Sequence, residues 1–279
     1  MSIKILTDTA CDLTKEEYAK YGVEYLPLIV SFGETDYFDN ETITAKEFYE
    51  KLVSNKDLPR TSQITPFRYE EKLEEMTANG DEVIIITLSS KLSGTYRSAC
   101  NAASNFNNVY VVDSIEATIG QKLLVVLASQ LVQKGLSAKE IVEQLNEKKN
   151  NIRVFAAVDT LDYLKKGGRV SAAAATVGNI INLKPIIGVV NGEVKMVGKG
   201  IGNRRANKAI LDIVNQNGQI DFELPFGTVY AGDMDNLEKF ISDASSLFAN
   251  VENIDKCIIG PTIGTHVGPG AFGIAYFAK

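Results

Sequence analysis

The stretch 81–99, DEVIIITLSSKLSGTYRSA, constrains the fold more than any other part of the chain. Val83 to Ile86 form an unbroken β-branched run, too short for an amphipathic helix and suited to a strand covered on both faces, as in a parallel sheet. Helical character resumes only at Tyr96, after Ser89, Ser90, Ser93, Gly94 and Thr95. In open α/β sheets, ligands settle outside the carboxyl ends of strands, where free N–H groups at a helix start favour an anion. This turn is the first candidate site.

The surrounding sequence repeats the pattern. Residues 3–6 read as a strand, and TDTACDL follows as a second polar turn, with Thr14 as the N-cap of the next helix. Residues 23–30 read as another strand, which Pro27 places at an edge or makes irregular. Thr44 caps a helix over 46–53. In RTSQITPFRYEEKLEEM, the hydroxyl-rich Thr61, Ser62 and Gln63 stand just before a helix with Pro66 in its first turn. A strand over 109–112, a helix over 120–134 stopped by Gly135, and a helix from Ser137 through Leu145 complete an α/β layer with a parallel sheet.

The pattern changes near Asn150. A strand over 152–158 leads to a short helix, a Gly167-Gly168 break and an Ala-rich helix. Asn191-Gly192 between two apolar segments is a strong hairpin signal and implies antiparallel strands. A helix over 203–214, a strand over 228–231, a helix over 236–248 and a strand over 256–259 follow. The tail, GPTIGTHVGPGAFGIAYFAK, has a glycine-rich turn and a last apolar strand. The expectation is two domains: an N-terminal α/β domain (1–150) and a C-terminal α+β domain with antiparallel strands (151–279).

Bulk properties exclude several functions. With 29 Lys and Arg against 35 Asp and Glu, the net charge is −6 and no basic block exists, which argues against nucleic-acid binding. Three scattered cysteines, Cys11, Cys100 and Cys257, offer neither a disulfide framework nor a metal site and read as buried thiols in a reducing cytoplasm. The start, MSIKILTDTACDL, turns polar too soon for a signal peptide. No apolar run reaches the roughly 18 residues a membrane span requires.

The residues able to carry chemistry are few. His266 is the only histidine and is expected in the glycine-rich turn, where a structural and a functional role fit equally. Ser93 with His266 suggests an acyl-ester hydrolase, yet a nucleophile elbow needs glycines where Lys91 and Thr95 stand. A small-molecule kinase is the other enzyme reading, because Gly167-Gly168-Arg169 and the polar turns suit a phosphate; no GxxxxGK[ST] or GxGxxG accompanies them.

Taken together, TDTACDL, RTSQITP, LSSKLSGTYRSA, DTLDYLKKGGRVS, KPIIGVVNGEV and GPTIGTHVGPGAFGIAY, in this order, resemble the DegV family of bacterial fatty-acid-binding proteins. The resemblance spans nearly the whole chain. It implies a cytoplasmic carrier without a cofactor or metal, not an enzyme, that presents a long-chain fatty acid to a fatty acid kinase catalytic subunit for conversion to an acyl-phosphate used in phospholipid synthesis. It implies ligand contacts from Thr61, Ser62, Ser93, Gly94 and His266, with the acyl chain buried between the two domains. Arg169 and Arg204 would face the partner kinase or the phosphate. Membrane insertion is not expected, and at most a transient contact is. Ile64-Thr65-Pro66 departs from the Pro-Ser that many relatives carry after TSQ, so Thr65 receives no role.

Overall fold

The computed structural model describes residues 2–55, 57–170 and 181–279. In chain order the elements are β1 (Ile3–Asp8), α1 (Lys15–Tyr21), β2 (Val23–Leu26), β3 (Ile29–Phe32), β4 (Thr35–Phe38), α2 (Ala45–Ser54), β5 (Arg60–Ser62), α3 (Pro66–Thr77), β6 (Glu82–Thr87), α4 (Thr95–Ala103), β7 (Val109–Asp113), α5 (Thr118–Gln133) and α6 (Ala138–Lys148). A 3-10 turn, Lys149–Asn151, then leads to β8 (Ile152–Ala157), α7 (Asp162–Lys166), β9 (Leu183–Val190), β10 (Glu193–Ile201), α8 (Gly202–Gln216), β11 (Gly227–Tyr230), α9 (Asp235–Asp243), β12 (Lys256–Ile258), α10 (Pro261–Val267) and β13 (Phe272–Phe277).

The mixed α/β architecture agrees with expectation. β2, β1, β6 and β7 form a parallel sheet in that order, with Ile84 of β6 opposite Ile5 of β1 and Tyr110 of β7. Val83 to Ile86 are fully buried, as a central strand covered on both faces requires. The second sheet runs β10-β9-β8-β13-β11-β12 and is antiparallel except for the β11/β12 pair. Asn191 and Gly192 both have positive φ (53° and 83°), the geometry of a two-residue type I′ hairpin turn.

α5 lies between the two sheets, touching β1 and β6 on one side and β8, β11 and β13 on the other. Its sequence, TIGQKLLVVLASQLVQ, is apolar nearly all round, as a helix without a solvent face must be. Even Lys122 is buried there, its Nζ 2.7 Å from Glu17 and 2.8 Å from Asp255. On the outer face of the second sheet, α8 and α9 cover Phe155, Phe272, Ile274 and Tyr276. The alternate residues Val154, Ala156 and Ala275 point inward, toward the first sheet.

Four expectations need correction. The strand expected over 23–30 is two strands in different sheets: β2 is an edge of the parallel sheet, while β3 pairs antiparallel with β4 and β5. Pro27, which has no N–H to give a ladder, sits at the break. The first half thus contains antiparallel strands as well. Thr61 lies on β5, opposite Val30, and not in a turn at a helix start. The N-cap of α3 is Thr65, whose Oγ1 accepts from Arg68 N. His266 sits in the last turn of α10, not in a turn between elements. The helix expected over 236–248 ends at Asp243. The Ala-rich helix expected after Gly168 lies outside the described residues.

The N-caps Thr14, Thr44 and Ser137 all form capping boxes, with Glu17, Glu47 and Glu140 closing them. Cys11 and Cys257 are buried free thiols, whereas Cys100 is only partly buried. Among the described residues no cluster of His, Cys, Asp and Glu fits a metal ion, and no helix is long and apolar enough to cross a membrane.

Candidate ligand-binding site

Between the sheets lies a cavity of about 200 Å³. Its apolar walls come from both halves, with Leu28, Leu88, Leu92 and Ala117 from the first and Val154, Ala156, Ile187, Val189, Val229, Ile259, Ile263, Val267 and Ala271 among those from the second. The space exists because the inward face of the second sheet carries small residues. Ala156 and Ala271 leave unfilled what larger side chains would pack.

Polar residues gather where the cavity meets the surface. Thr61, Ser62, Gln63, Ser93, Gly94, Arg169 and His266 all line it. Thr61, Arg169 and His266 also line one surface depression, and Gln63, Ser93, Gly94 and Arg169 another. The expected residues Thr61, Ser62, Ser93, Gly94, His266 and Arg169 are therefore brought together from four separate parts of the chain. Arg204 is not among them. It is exposed on α8.

Thr61 Oγ1 and His266 Nε2 are 3.0 Å apart. Burial first, and Arg169 second, push the imidazole down to about 4, so it is neutral at physiological pH. A neutral ring with its proton on Nε2 donates to Thr61 and frees the threonine's own hydrogen for another acceptor. Nδ1 is enclosed without a partner among the described residues. It faces Gly167, where any Cβ would overlap it.

Ser93 Oγ accepts from Thr95 N at 3.2 Å and lies 3.0 Å from Thr95 Oγ1, a hydroxyl turn that leads into α4. It does not contact His266. The nucleophile and base of a hydrolase are thus not assembled, since each hydroxyl or ring has a different partner. The loop bearing Ser93 is fixed from behind: Ser89 Oγ donates to Gly192 O at the tip of the β9-β10 hairpin, 2.8 Å away. Arg169 ties two loops at the mouth, its Nε donating to Leu92 O at 3.1 Å and its Nη1 to Gly167 O at 2.6 Å. It is half-buried and bonded to the backbone, a structural task the sequence did not suggest.

A buried acidic set stands behind α10 and was not anticipated, although TDTACDL contains two of its members. Gly260 N donates to Asp12 and Thr262 N to Asp39, so carboxylates of the first half hold the start of the helix that carries His266. Burial pushes Asp8 and Asp39 up to about 6, and Asp12 and Glu116 well above their ordinary range. A carboxyl raised in the folded state contributes stability that is present below its unfolded pKa and lost as pH rises through the folded one. The lowered His266 acts oppositely, losing stability as pH falls from 6.5 toward 4. Four raised acids against one lowered base give a net sign. The melting temperature should rise between pH 7.5 and pH 5.5 in a thermal scan, and a fall would mean that these carboxylates stay ionised.

Comparison with known proteins decides the family. The model of the DegV family of uncharacterised proteins matches residues 2–279. The chain belongs to the DegV family. A DegV domain-containing protein of Caldanaerobacter subterraneus is 34% identical over 283 residues, covering 99% of each chain. Among solved structures, a DegV family protein from Thermus thermophilus described for its fatty acid binding superposes with a TM-score of 0.90 at 30% identity over 100% of both chains. A stearic-acid-binding protein from Eubacterium ventriosum superposes with a TM-score of 0.88 at 29% identity, over 100% of this chain and 99% of that one. The DegV fold thus extends over the length of this chain.

Proposed function

We propose that this DegV protein binds one long-chain fatty acid, with the carboxylate at Thr61 and Ser93 near His266 and the acyl chain in the cavity between the sheets, and presents it to a separate kinase subunit for phosphorylation. The observation that carries the reading is the polarity of the cavity: hydroxyl and amide groups gather at the surface end, and the rest is lined mostly by aliphatic side chains, with the buried Thr118 and Thr262 the polar exceptions. Fatty acid binding in the Thermus and Eubacterium relatives supports it.

The energetics are sufficient. About fifteen methylenes at about 0.8 kcal/mol each give roughly 12 kcal/mol of gross transfer free energy. Association costs of about 4 to 15 kcal/mol offset much of this, so affinity depends on how well the head group is satisfied. A bare carboxylate would be costly to bury, and hydroxyl donors remove that cost. They also position the carboxylate without the direct ion pair that would quench it as a nucleophile toward a phosphoryl donor. The donor's own charge stabilisation is then the task of the kinase.

Mass spectrometry of protein purified and then denatured tests the first half of the proposal. A long-chain fatty acid should be released. Protein that arrives empty and takes up none from solution would refute binding. Mixing the loaded protein with a fatty acid kinase catalytic subunit and a phosphoryl donor tests the second half, which no acyl-phosphate formation would refute.

A further inference from the structure

Two glycines at the cavity mouth have ordinary helical backbone, Gly94 with φ −73° and Gly167 with φ −74°. Any residue adopts that conformation, so their missing side chains matter for space alone. Beside Gly167 the space is taken by the His266 ring. Beside Gly94 it is taken by the carboxamide of Gln63, whose Oε1 a Cβ there would overlap. Gln63 is therefore seated against the head-group loop as closely as His266 is seated against its own glycine.

Gln63 differs from His266 in how it is held. One bond fixes its amide, Nε2 donating to Ser98 Oγ of α4 at 3.0 Å, and its residue is exposed on the outer side. It faces the cavity together with Ser93, and it also forms part of the outer groove that Lys91, Arg97 and Arg169 share. We infer that Gln63 is a gate: with its amide on Ser98 it separates the head-group site from this cationic groove, and when the bond opens the two spaces join beside Ser93. Such a bond is worth about 0.5 to 1.5 kcal/mol net, weak enough to open spontaneously and strong enough to favour the shut state. The inference rests on the fatty-acid reading and extends it, because a reactant that is to meet the bound carboxylate through the groove must pass Gln63, at a boundary the two spaces share with Leu92, Ser93, Gly94 and Arg169.

Stopped-flow exchange of a fluorescent long-chain fatty acid on the full chain tests it. Gln63→Ala should speed association and dissociation together, by about two- to tenfold, the range that one such bond spans. Ser98→Ala, which leaves the cavity lining intact, should move both rates in the same direction. Gln63→Met, of similar length but without a donor, should resemble Ser98→Ala. Unchanged rates in all three variants would overturn the gate while leaving the wild-type binding signal, and hence the binding reading, in place. Faster dissociation with unchanged association in Gln63→Ala would also overturn it, by making Gln63 a head-group ligand. A wild type that takes up no probe would remove both readings at once.

Discussion

The double variant Thr61→Ala, Ser93→Ala should lose fatty-acid affinity by about a hundredfold while remaining folded, its melting temperature lowered by only a few degrees for the unpaired His266 Nε2. Hydrogen bonds to a charged group are worth about 1.5 to 3 kcal/mol each, and 1.4 kcal/mol is tenfold in affinity. Two lost donors therefore correspond to at least two decades, reduced somewhat because both serve one carboxylate. Thr61→Ala also removes the partner of His266 Nε2. Neither position carries much of the fold: Thr61 is on a three-residue strand and Ser93 in a loop. Titration calorimetry with a long-chain fatty acid, alongside a thermal melt, reads both quantities. Affinity within a few-fold of wild type would place the carboxylate elsewhere.

Filling the cavity should have a larger effect still. Ala156 lies on the inward face of β8, opposite Ile187 and Gly273, and lines the cavity. Ala156→Phe puts a ring where the acyl chain would run, so no fatty acid should co-purify or be taken up. Because the ring enters space that is empty, stability should hold or rise, as cavity-filling substitutions commonly give about 0.5 to 2 kcal/mol. Its neighbour provides the control. Ala157 is fully buried on the opposite face, in the core beneath α8 and α9. Ala157→Phe overpacks that core and should cost about 1 to 3 kcal/mol. Retained uptake by the Ala156 variant would mean that the acyl chain lies elsewhere.

The elements legible in the sequence are those whose cause is local. The β6 run, the three capping boxes and the Asn191-Gly192 hairpin follow from periodicity, caps and turn chemistry within a few residues. α10 escaped notice for the opposite reason. PTIGTHV is rich in Pro, Gly and β-branched residues, a poor helix by propensity. It is helical because Asp12 and Asp39, more than 200 residues away, take its first N–H groups, and because Gly264 lets it settle on Phe48 and Tyr49. Motif resemblance put Thr61 and Ser93 forward as candidates, and both line the cavity, but the strand under Thr61 was not legible, since β5 exists only by pairing with β3. The cavity was beyond reach. It is made of missing atoms at positions such as Ala156 and Ala271, and no one stretch of sequence contains it.

The position of β13 has a consequence for synthesis. Phe272–Phe277 is the last of the described strands to be synthesised, yet it lies between β8 and β11 in the middle of the second sheet. Until it is made, β8-β9-β10 and β11-β12 are two fragments with unpaired edges, and pairing across more than a hundred residues is intrinsically slow. Ala271, which closes one wall of the cavity, is translated just before it. The cavity is thus not closed until Ala271 and β13 are in place, and a chain stopped before Phe272 would display an open, aggregation-prone half-sheet.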